Sequence, residues 1–552
     1  MAGSKEKSAK VKKRGKSVNK KGVFVVVFFG GILLTSTIMF ALPPPPPTMS
    51  EDDIESDITK TGTPMDNFPD DQRATFCGVE EAKSNSFVTE YKIPTLCTQP
   101  LAIKVGPDGN IWFIQTNTGS IAKFDPVSEQ FTEFENSFWP EQGRTMSWGM
   151  DYSPDGTLWY TDGTYDSIWK FNTITETFDG MSYPVSESGS LPQKLEIDGS
   201  NVFVNDFTGG KITIFDLVQN MDDVTYMSVL NPIPEAFTGD LTIDAENNLW
   251  YTNWVVDSTG FLVKLNLADY QNEVSIDDTE TTLEKYIHVF DFPHDLNTAN
   301  GLTTDQNGNV WIVDTSSSFF FRFDPTTQEF TKYITTEPPL SSYGNVTGVI
   351  KTPVSRPYWI DTDNSGNLVF NEQTSNQIAV LDVQKESLVE YMIPSKNPNW
   401  ADCDLDSSAN CGVAQIFGFD TTDGAIWFTE WAENNIGVID TTKPLPFKTN
   451  TDKETLVLKK GESGEITLTI TYADISDSIN SEIKTSHTAS TTTNFSDLLI
   501  SSSRNSSQGN TEEIEITVQA SETSLTGNYK VLLGIGNNEV TVSQYVDVII
   551  ES

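Results

Sequence analysis

Apolar and polar residues alternate along most of this chain with a period of two, which is typical of β-strands. One version of the pattern recurs seven times between about residue 98 and residue 443. Each copy has a short apolar strand, a turn that contains Gly or Asn, and a second strand built around a large apolar residue. The central apolar residues of the copies are Trp112, Trp159, Phe203, Trp250, Trp311, Val369 and Trp427. Their spacing of 44 to 61 residues is the loose period that four-stranded propeller blades produce.

The copies also carry the turn chemistry of β-hairpins. Three clear ones read VGPDGNIWFIQ, YSPDGTLWYTD and TTDGAIWFTE, and Gly or Asn in such a turn accepts a positive φ at little cost. A third strand such as IAKFDP and a more polar fourth strand such as FTEFE follow. A blade of this size cannot bury both of its faces alone, so we expect the blades to stack around an axis. The sequence predicts an all-β chain in which residues 86–445 form a seven-bladed β-propeller.

A displaced strand indicates how the ring closes. The seventh copy runs through IGVIDTTKP, from Ile436, and lacks a fourth strand. A strand of the missing type, FVTEYKIP from Phe87, precedes the first copy. We expect residues 86–94 to complete the last blade and lock the ring. The alternative, several small sandwiches in a row, leaves this strand without a role.

The N-terminal part falls into three segments of different composition. Residues 1–21 contain nine Lys/Arg and one acid, and residues 22–42 are an uncharged apolar run, long enough to span about 30 Å of hydrocarbon. The basic flank is expected to stay in the cytoplasm, which places the rest of the chain outside; a cleaved signal peptide is the alternative. Residues 43–85 start with five prolines and continue as an acidic stretch, which is typical of a stalk. We expect a single-pass protein of the cell membrane with most of its chain extracellular.

The C-terminal part differs again. Residues 446–552 are rich in Ser, Thr and Glu and contain neither Trp nor Cys. They include alternating strands such as GEITLTITY, EEIEITVQA and EVTVSQYVDVII. This length and pattern are typical of an immunoglobulin-like β-sandwich, whose expected role is spacing or attachment at the cell surface.

Charge narrows the class of partner. Removing the nine basic residues and one acidic residue of the first 21 from the totals of 35 and 78 leaves 26 basic and 77 acidic residues, a balance of −51. We therefore expect no nucleic-acid partner, because such binding depends on basic residues that neutralise phosphates. The charge suits a salty medium or divalent cations, and a solvated acidic surface is the simpler interpretation.

The four cysteines fit an oxidising exterior. Cys403 and Cys411 flank a short loop and are the favoured disulfide pair, which leaves Cys77 with Cys97. A metal site is the alternative.

Superposing the copies places two rings of residues around one rim of the propeller, because strand one starts there and strand two returns there. The first ring is Leu101, Trp148, Gln193, Gly239, Asn300, Tyr358 and Phe417. The second ring is Gln115, Asp162, Asp206, Asn253, Asp314, Glu372 and Glu430.

Both rings contain candidate site residues. The expected ligand-binding residues are Trp148, Asn300, Tyr358 and Phe417. The three aromatic ones are expected to offer their faces for stacking. Converging carboxylates recruit hard cations. The expected ligands for Mg²⁺ or Ca²⁺ are Asp162, Asp206, Asp314, Glu372 and Glu430. Polar strand ends without a function are the alternative.

The sequence does not indicate a nucleophilic triad. The three histidines, His288, His294 and His487, lie outside both rings and outside any GxSxG motif. A cysteine nucleophile on the exterior would compete with disulfide formation.

The repeats GPDGNIWFIQ, SPDGTLWYTD and TDGAIWFTEWAENNIGVID resemble those of the streptogramin (virginiamycin B) lyase family, over about residues 86–445. The resemblance implies a seven-bladed propeller. For active members it also implies Mg²⁺-dependent elimination that linearises a cyclic depsipeptide, with histidine and glutamate at the propeller mouth. Glu430 in WFTEW and Glu372 in VFNEQ match the strand-end acid of the family. The Pro-His-Gly-Ile motif of the family corresponds here to PLAI, SWGM, PQKL, ANGL, PYWI and IFGF, all without histidine.

Three functions follow from these patterns. The leading expectation is an anchored, outward-facing propeller that binds a small molecule, a cation or an envelope protein at an acidic, aromatic-lined mouth. The second is an enzyme, either a Mg²⁺-dependent lyase of the streptogramin type or a hydrolase of the gluconolactonase type. The third is a structural component of the cell envelope, attached through the sandwich.

Overall fold

The computed structural model describes most of the chain from Cys77 onward. The described ranges are 77–78, 80–139, 147–163, 165–180, 182–185, 189–216, 226–232, 236–255, 260–273, 285–344, 353–403, 411–492 and 495–552. The predicted tail, the predicted membrane-spanning segment 22–42 and most of the predicted stalk lie outside them. Within these ranges, no helix is both long enough and apolar enough to cross a membrane.

The described residues are mainly strands, and seven sheets follow one another as blades. An N-terminal strand, β1, spans Val88–Lys92. Blade one contains β2 (Pro100–Val105), β3 (Ile111–Gln115), β4 (Ser120–Asp125) and β5 (Gln130–Phe134). Blade two contains β6 (Met150–Tyr152), β7 (Thr157–Asp162), β8 (Ser167–Asn172), β9 (Thr177–Phe178) and β10 (Tyr183–Pro184). Blade three contains β11 (Pro192–Asp198), β12 (Asn201–Asp206), β13 (Lys211–Asp216) and β14 (Tyr226–Leu230).

The remaining four blades follow the same order. Blade four contains β15 (Phe237–Ile243), β16 (Asn248–Trp254), β17 (Phe261–Asn266) and β18 (Ile287–Asp291), with helix α1 (Leu267–Glu273) before β18. Blade five contains β19 (Ala299–Thr304), β20 (Val310–Asp314), β21 (Phe319–Asp324) and β22 (Glu329–Ile334), and a short helix, α2 (Leu340–Tyr343), follows it. Blade six contains β23 (Pro357–Thr362), β24 (Leu368–Glu372), β25 (Gln377–Asp382) and β26 (Ser387–Met392). Blade seven contains β27 (Ile416–Thr422), β28 (Ala425–Glu430) and β29 (Asn435–Asp440).

The ring closes through the N-terminal strand. Strand β1 pairs antiparallel with β29, from Val88 opposite Ile439 to Lys92 opposite Asn435. It therefore supplies the outer strand that the seventh repeat lacks, which is the closure that the displaced FVTEYKIP strand predicts. The predicted seven-bladed propeller is present in the described residues.

A polar residue one position before the second-ring residue joins five of the blades to the next one. Its hydroxyl or amide donates to a strand-one carbonyl of the neighbouring blade, at 2.7 to 3.3 Å. The bonds run from Thr161 to Gln193, Asn205 to Thr238, Thr252 to Ala299, Asn371 to Ile416, and Thr429 to Leu101. The last of these joins blade seven to blade one. Large apolar side chains such as Trp112, Trp250 and Trp311, each 1% exposed, fill the space between blades.

The C-terminal part forms two packed sheets. Its strands are β30 (Phe447–Thr451), β31 (Thr455–Lys459), β32 (Ser463–Tyr472), β33 (Glu482–His487), β34 (Thr491–Thr492), β35 (Phe495–Ser496), β36 (Leu498–Gln508), β37 (Thr511–Ala520), β38 (Gly527–Gly536) and β39 (Val540–Glu551). One sheet has the order β30-β32-β37-β36. The immunoglobulin-like class remains a prediction.

The second C-terminal sheet continues a propeller blade. Strand β39 pairs antiparallel with β26, from Ser387 opposite Gln544 to Tyr391 opposite Val540. Strands β38, β33 and β31 extend this sheet beyond blade six. The edge of blade six is therefore covered, which removes an open strand edge of the kind that promotes aggregation.

Two disulfides join loops near the ends of the described ranges. They link Cys77 to Cys97 and Cys403 to Cys411, the pairs that the spacing favours. The first ties the segment before β1 to the loop that leads into blade one.

Candidate functional site

The aromatic residues of the first ring pack against one another. Trp148 lies 5.9 Å from Tyr358 and 5.2 Å from Phe417 between ring centroids. Tyr358 and Phe417 are themselves 5.7 Å apart, and Phe417 is only 1% exposed. These rings come from blades two, six and seven, so they meet across the axis and form an aromatic plug at the strand-start rim. This corrects the expectation of open stacking surfaces at Tyr358 and Phe417.

Asn300, the fourth predicted ligand-binding residue, is buried at the same rim. Its side-chain amide donates to the Thr315 hydroxyl at 3.2 Å. The contact holds the start of blade five to the end of its own second strand, so Asn300 has a structural partner here.

The five predicted carboxylate ligands do not converge. Among the described residues, no group of three or more His, Cys, Asp or Glu side chains is arranged to hold a metal ion. The physical reason is that strand two lies behind strand one, which alone faces the channel. Side chains of strand two therefore point between blades, and each carboxylate finds partners within its own blade.

Three of these carboxylates are hydrogen-bonded locally. Asp162 accepts from the Trp169 indole N–H at 3.0 Å, and Asp206 accepts from the Thr213 hydroxyl at 2.9 Å. Asp314 accepts from the Thr298 backbone N–H and from two serine hydroxyls, while burial raises its pKa.

Glu372 and Glu430 have a different arrangement, since each meets a second glutamate. Glu372 contacts Glu390 of β26, and Glu430 contacts Glu90 of β1. All four side chains are buried. Burial, together with the neighbouring carboxylate, raises the pKa of Glu372 and of Glu430 well above the usual range.

The structure places a polar pocket in the central channel instead. The cavity has a volume of about 300 Å³ and is lined by the first strands of all seven blades. Lys194 and Asp240 line it, together with polar residues that lie three positions after members of the first ring. We call the residues three positions after the first-ring members the channel ring: Lys104, Asp151, Glu196, Thr242, Thr303, Asp361 and Asp420.

Lys104 is the cation of the channel ring. Its ammonium lies 3.7 Å from the carboxylates of both Asp151 and Asp420. The nearby Asp420 carboxylate raises the pKa of Lys104, so this lysine is charged at all physiological pH values. The two aspartates also accept backbone N–H groups from neighbouring blades, Ile197 to Asp151 and Val105 to Asp420.

A second lysine lies closer to the aromatic plug. The ammonium of Lys194 is 3.3 Å from Asp240 and 4.1 Å from the centroid of the Trp359 ring, a combined ion pair and cation–π contact. Burial raises the pKa of Asp240 to about 6, although Lys194 opposes the shift. Two tryptophans near the aromatic plug, Trp148 and Trp359, line the cavity.

Glu196 is a carboxyl group of the cavity wall with a strongly raised pKa. It accepts one backbone N–H, from Ile243 at 3.2 Å. Among the described residues, no lysine or arginine forms an ion pair with it. Burial, reinforced by Asp151, Asp361 and Asp240, raises its pKa to about 8. Glu196 is therefore largely protonated at neutral pH.

The pocket opens on the rim that carries the hairpin turns. Trp148, in the aromatic plug, is 6% exposed. Lys104 lies three residues after the first-ring position of its own strand, nearer the hairpin turn, and its side chain is 28% exposed. Asp361 is exposed. The cavity is thus open on the side opposite to the rim at which the two predicted rings lie.

The histidines lie away from the channel. His288 is on the outer strand β18 and His487 on β33 of the C-terminal sheet, while His294 is in the loop before β19. None of them lines the described cavity.

Comparisons with known proteins found similar chains among solved structures only. No family model and no curated protein matches the chain. Among solved structures, it is similar to virginiamycin B lyase from Staphylococcus aureus, at 19% identity and a TM-score of 0.48, covering 64% of this chain and 98% of that one. A streptogramin B lyase structure gives 20% identity and a TM-score of 0.48, over 64% and 96% of the two chains. A putative 6-phosphogluconolactonase from Bacteroides uniformis gives 13% identity and a TM-score of 0.31, over 41% and 68%.

The predicted resemblance to the streptogramin lyases is thereby confirmed as a likeness between structures. At these identities the likeness concerns the fold alone, and the propeller itself follows from the seven sheets and their closure.

Proposed function

We propose that this protein binds a small ligand with a positively charged amine in the central channel, entering from the hairpin-turn rim. The observation that carries the proposal is the composition of the channel ring, which has four carboxyl groups and one lysine. Its cavity of about 300 Å³ is at the lower end of the range for small-molecule sites. A ligand of few heavy atoms is therefore expected.

Charge pairing in the channel supports a cationic ligand. Lys104 is engaged by Asp151 and Asp420, and Lys194 by Asp240. Glu196 and Asp361 remain without a lysine or arginine partner among the described residues. Glu196 is half-buried and Asp361 is exposed at the mouth of the cavity, and a partly desolvated carboxylate is stabilised by an opposite charge. An entering ammonium group would supply that compensation.

The inner end of the cavity suits the same chemistry. Trp148 and Trp359 line it, and the face of an indole ring attracts cations. Lys194 already uses the Trp359 ring in this way. Neighbouring carboxylates and indole rings are the features that proteins use to hold amines and quaternary ammonium groups.

Acid–base catalysis in the same channel is a second candidate. Two carboxyl groups there have pKa values raised to different extents, Glu196 to about 8 and Asp240 to about 6. Such a separation is a feature of acid–base pairs. A lyase or lactonase-like hydrolase would then use Glu196 as the proton donor, in place of the histidine that the streptogramin lyases supply.

The proposed location is the cell membrane, with the propeller outside. Residues 1–21 are basic and residues 22–42 apolar, which supports a single membrane anchor with the propeller outside. The two disulfides fit an oxidising exterior. A role in the cell envelope, with the C-terminal sheets as spacer, is compatible with ligand binding. Binding of Mg²⁺ or Ca²⁺ stays a prediction from the sequence.

The test is calorimetric titration of the full-length protein with 1,4-diaminobutane, spermidine and choline, and with glucose as an uncharged control. We expect saturable binding of at least one amine and none of glucose. Glu196→Gln should weaken the affinity at least about tenfold, whereas Asp198→Asn, at an exposed position of the same strand, should leave it unchanged. Binding of no amine, or equal binding by the Glu196→Gln protein, would contradict the proposal. Ca²⁺ and Mg²⁺ serve as further titrants in the same assay.

A further inference from the structure

Two buried pairs of glutamates lie in adjacent blades, next to the seam where the ring closes. In blade seven, Glu430 ends strand two and Glu90 lies on β1, the strand that closes the ring. Cross-strand pairing sets Glu430 opposite Asn435 and Glu90 opposite Gly437. Because Asn435 and Gly437 are two positions apart on one strand, both glutamates lie on the same face of the blade.

Blade six repeats the arrangement. Glu372 is opposite Gln377, and Glu390 is opposite Ala379. Both glutamates are 0% exposed. In each pair, the strand-three residue opposite the outer glutamate is small, so no large side chain separates the two carboxyl groups.

Blade one provides an internal reference. Gln115 occupies the position of Glu372 and Glu430, and its side-chain amide donates to Glu133, which lies opposite Ala122. Here an amide supplies the proton that joins the two side chains. The strand-three residue is larger in the other blades, where it is Trp169, Thr213, Val263 or Phe321. Trp169 and Thr213 themselves donate to the strand-end aspartate.

The outer glutamates of the two pairs already accept several hydrogen bonds. Glu90 accepts from the Ser395 N–H at 2.9 Å, from the Ser395 hydroxyl, and from the Lys83 N–H at 2.8 Å. Glu390 accepts from the Thr336 N–H at 3.0 Å and from its hydroxyl at 2.9 Å. Burial raises the pKa of Glu390 to about 7, although the N–H and hydroxyl of Thr336 oppose the shift.

The inner glutamates accept fewer hydrogen bonds. The hydroxyls of Ser375 and Ser355 lie near Glu372 and oppose the rise of its pKa, although neither of its oxygens receives a hydrogen bond of ordinary geometry. One oxygen of Glu430 accepts from the Asn435 side-chain amide at 2.8 Å, and the other has no donor among the described residues. A second ionised carboxylate facing the first would leave two like charges in contact in a dry interior. A proton on the inner glutamate removes that repulsion and supplies the missing donor.

We propose that Glu430 and Glu372 are protonated in the folded protein and donate their O–H groups to Glu90 and Glu390, so that two shared protons form a pH-sensitive latch at the closing seam. The blade-seven proton holds the N-terminal strand β1 to the ring. The blade-six proton holds β26, to which the C-terminal sheet is joined. Loss of both protons at alkaline pH loosens the seam without altering the other blades.

Other ionisable groups surround the pairs. Near the blade-seven pair, Lys92 donates to the backbone carbonyls of Gly78 and Glu433, and the carboxyl groups of Glu433 and Glu81 lie close by. The blade-six pair faces the hydroxyl of Tyr545, the ammonium of Lys484, and the Tyr333–Glu386 hydrogen bond.

The direction of the pH effect follows from linkage. The folded-state pKa of the inner glutamates lies above the unfolded value of about 4.3, so the folded protein binds more protons between these two values. The stabilisation is complete below the unfolded pKa and is lost as the pH rises through the folded pKa. The seam should therefore be strongest in mild acid and weakest in alkali.

The test is thermal unfolding of the full-length protein from pH 5 to pH 9, with the double variant Glu372→Gln/Glu430→Gln. The variant reproduces the amide–carboxylate pair of blade one. We expect its melting temperature to match the unmodified protein at pH 5 and to exceed it at pH 9, by a shift on the order of 2–4 °C. Glu329→Gln, at an exposed position on β22, is the control and should change neither value.

Infrared spectroscopy gives a second readout that a purely structural role would not move. The C=O band of a protonated carboxyl should persist at pH 8 in the unmodified protein and weaken in each single variant. Three results would overturn the proposal: a melting temperature lowered equally at every pH, absence of the protonated band, or a stoichiometric metal ion whose removal by EDTA reproduces the variant. The last result would assign the pairs to a cation instead.

Discussion

The indole ring of Trp148 in blade two lies edge-on against the ring of Phe417 in blade seven, with centroids 5.2 Å apart and an interplanar angle of 88°. Blade one stands between these blades in the ring, so the contact reaches over the channel axis. It closes the strand-start rim and leaves the polar pocket open on the other side. The proposed direction of ligand entry therefore depends on this pair.

Removal of the indole should open the plug. Trp148→Ala is expected to cost about 3–5 kcal/mol of the free energy of unfolding, because large-to-small changes lose both burial and packing. Urea unfolding of the full chain measures the loss. Trp148→Phe, which keeps an aromatic ring, should cost clearly less. A loss below about 1 kcal/mol for Trp148→Ala would show that the plug is not packed as described.

Loss of the channel-ring cation should destabilise the protein in a pH-dependent way. Lys104→Met leaves Asp151 and Asp420 without their shared ammonium. Breaking a buried pair costs about 3–5 kcal/mol, and partial exposure of this site reduces the expected loss to about 1–3 kcal/mol at pH 7. The loss should shrink at pH 4, because burial raises the pKa of Asp420 and its protonated form needs no ammonium partner.

The matched control for that experiment is Lys385→Met, since this lysine has a 77% exposed side chain. It should have little effect at either pH. Equal losses for Lys104→Met at pH 4 and pH 7 would contradict an electrostatic role.

Binding of a cationic ligand should depend on the ionisation of Glu196. Burial raises its pKa to about 8, and a cation prefers the ionised form. The apparent affinity should therefore rise with pH up to about 8, by at most about tenfold per pH unit, and then level off. Calorimetry at pH 6, 7, 8 and 9 measures the profile. Glu196→Gln should give a flat profile, and a flat profile in the unmodified protein would remove Glu196 from the site.

The hydroxyl that joins blade seven to blade one should contribute to ring stability. Thr429 donates to the Leu101 carbonyl at 2.7 Å in a buried position. Thr429→Val leaves that carbonyl without a donor, which should cost about 1–3 kcal/mol. Thr455→Val, at an exposed strand position, is the control. Equal unfolding midpoints for the two variants would mean that the inter-blade bond contributes nothing measurable.

Much of the propeller could be predicted from local sequence. The Asp-Gly turns and the large residues at Trp112 and Trp427 mark each hairpin, and the TEY strand before blade one identifies the closure. These signals are local or repeated, so one chain displays them several times. Pairing of Cys403 with Cys411 is likewise set by proximity in sequence.

The site was less predictable, because ring position alone does not say which way a side chain points. Asp162 and Glu430 end their strands at the expected rim, yet strand one screens them from the channel. The channel ring was visible in principle. Every repeat has a polar residue three positions after its first-ring member, from Lys104 to Asp420.

No local sequence signal predicts that the C-terminal sheet joins blade six. Strands β26 and β39 are about 150 residues apart in sequence, and edge pairing between distant strands follows no local motif. The Glu430–Glu90 pair is also a long-range contact, and only the closure of the ring brings its two members together.

A crystal structure of the full-length protein with its best-bound amine would locate the ligand. We expect density in the channel, with the ligand nitrogen within about 4 Å of the Glu196 or Asp361 carboxylate, an ion-pair distance, and below the aromatic plug. Ligand density at the strand-start rim, or at the strand-end carboxylates between blades, would contradict the proposed site.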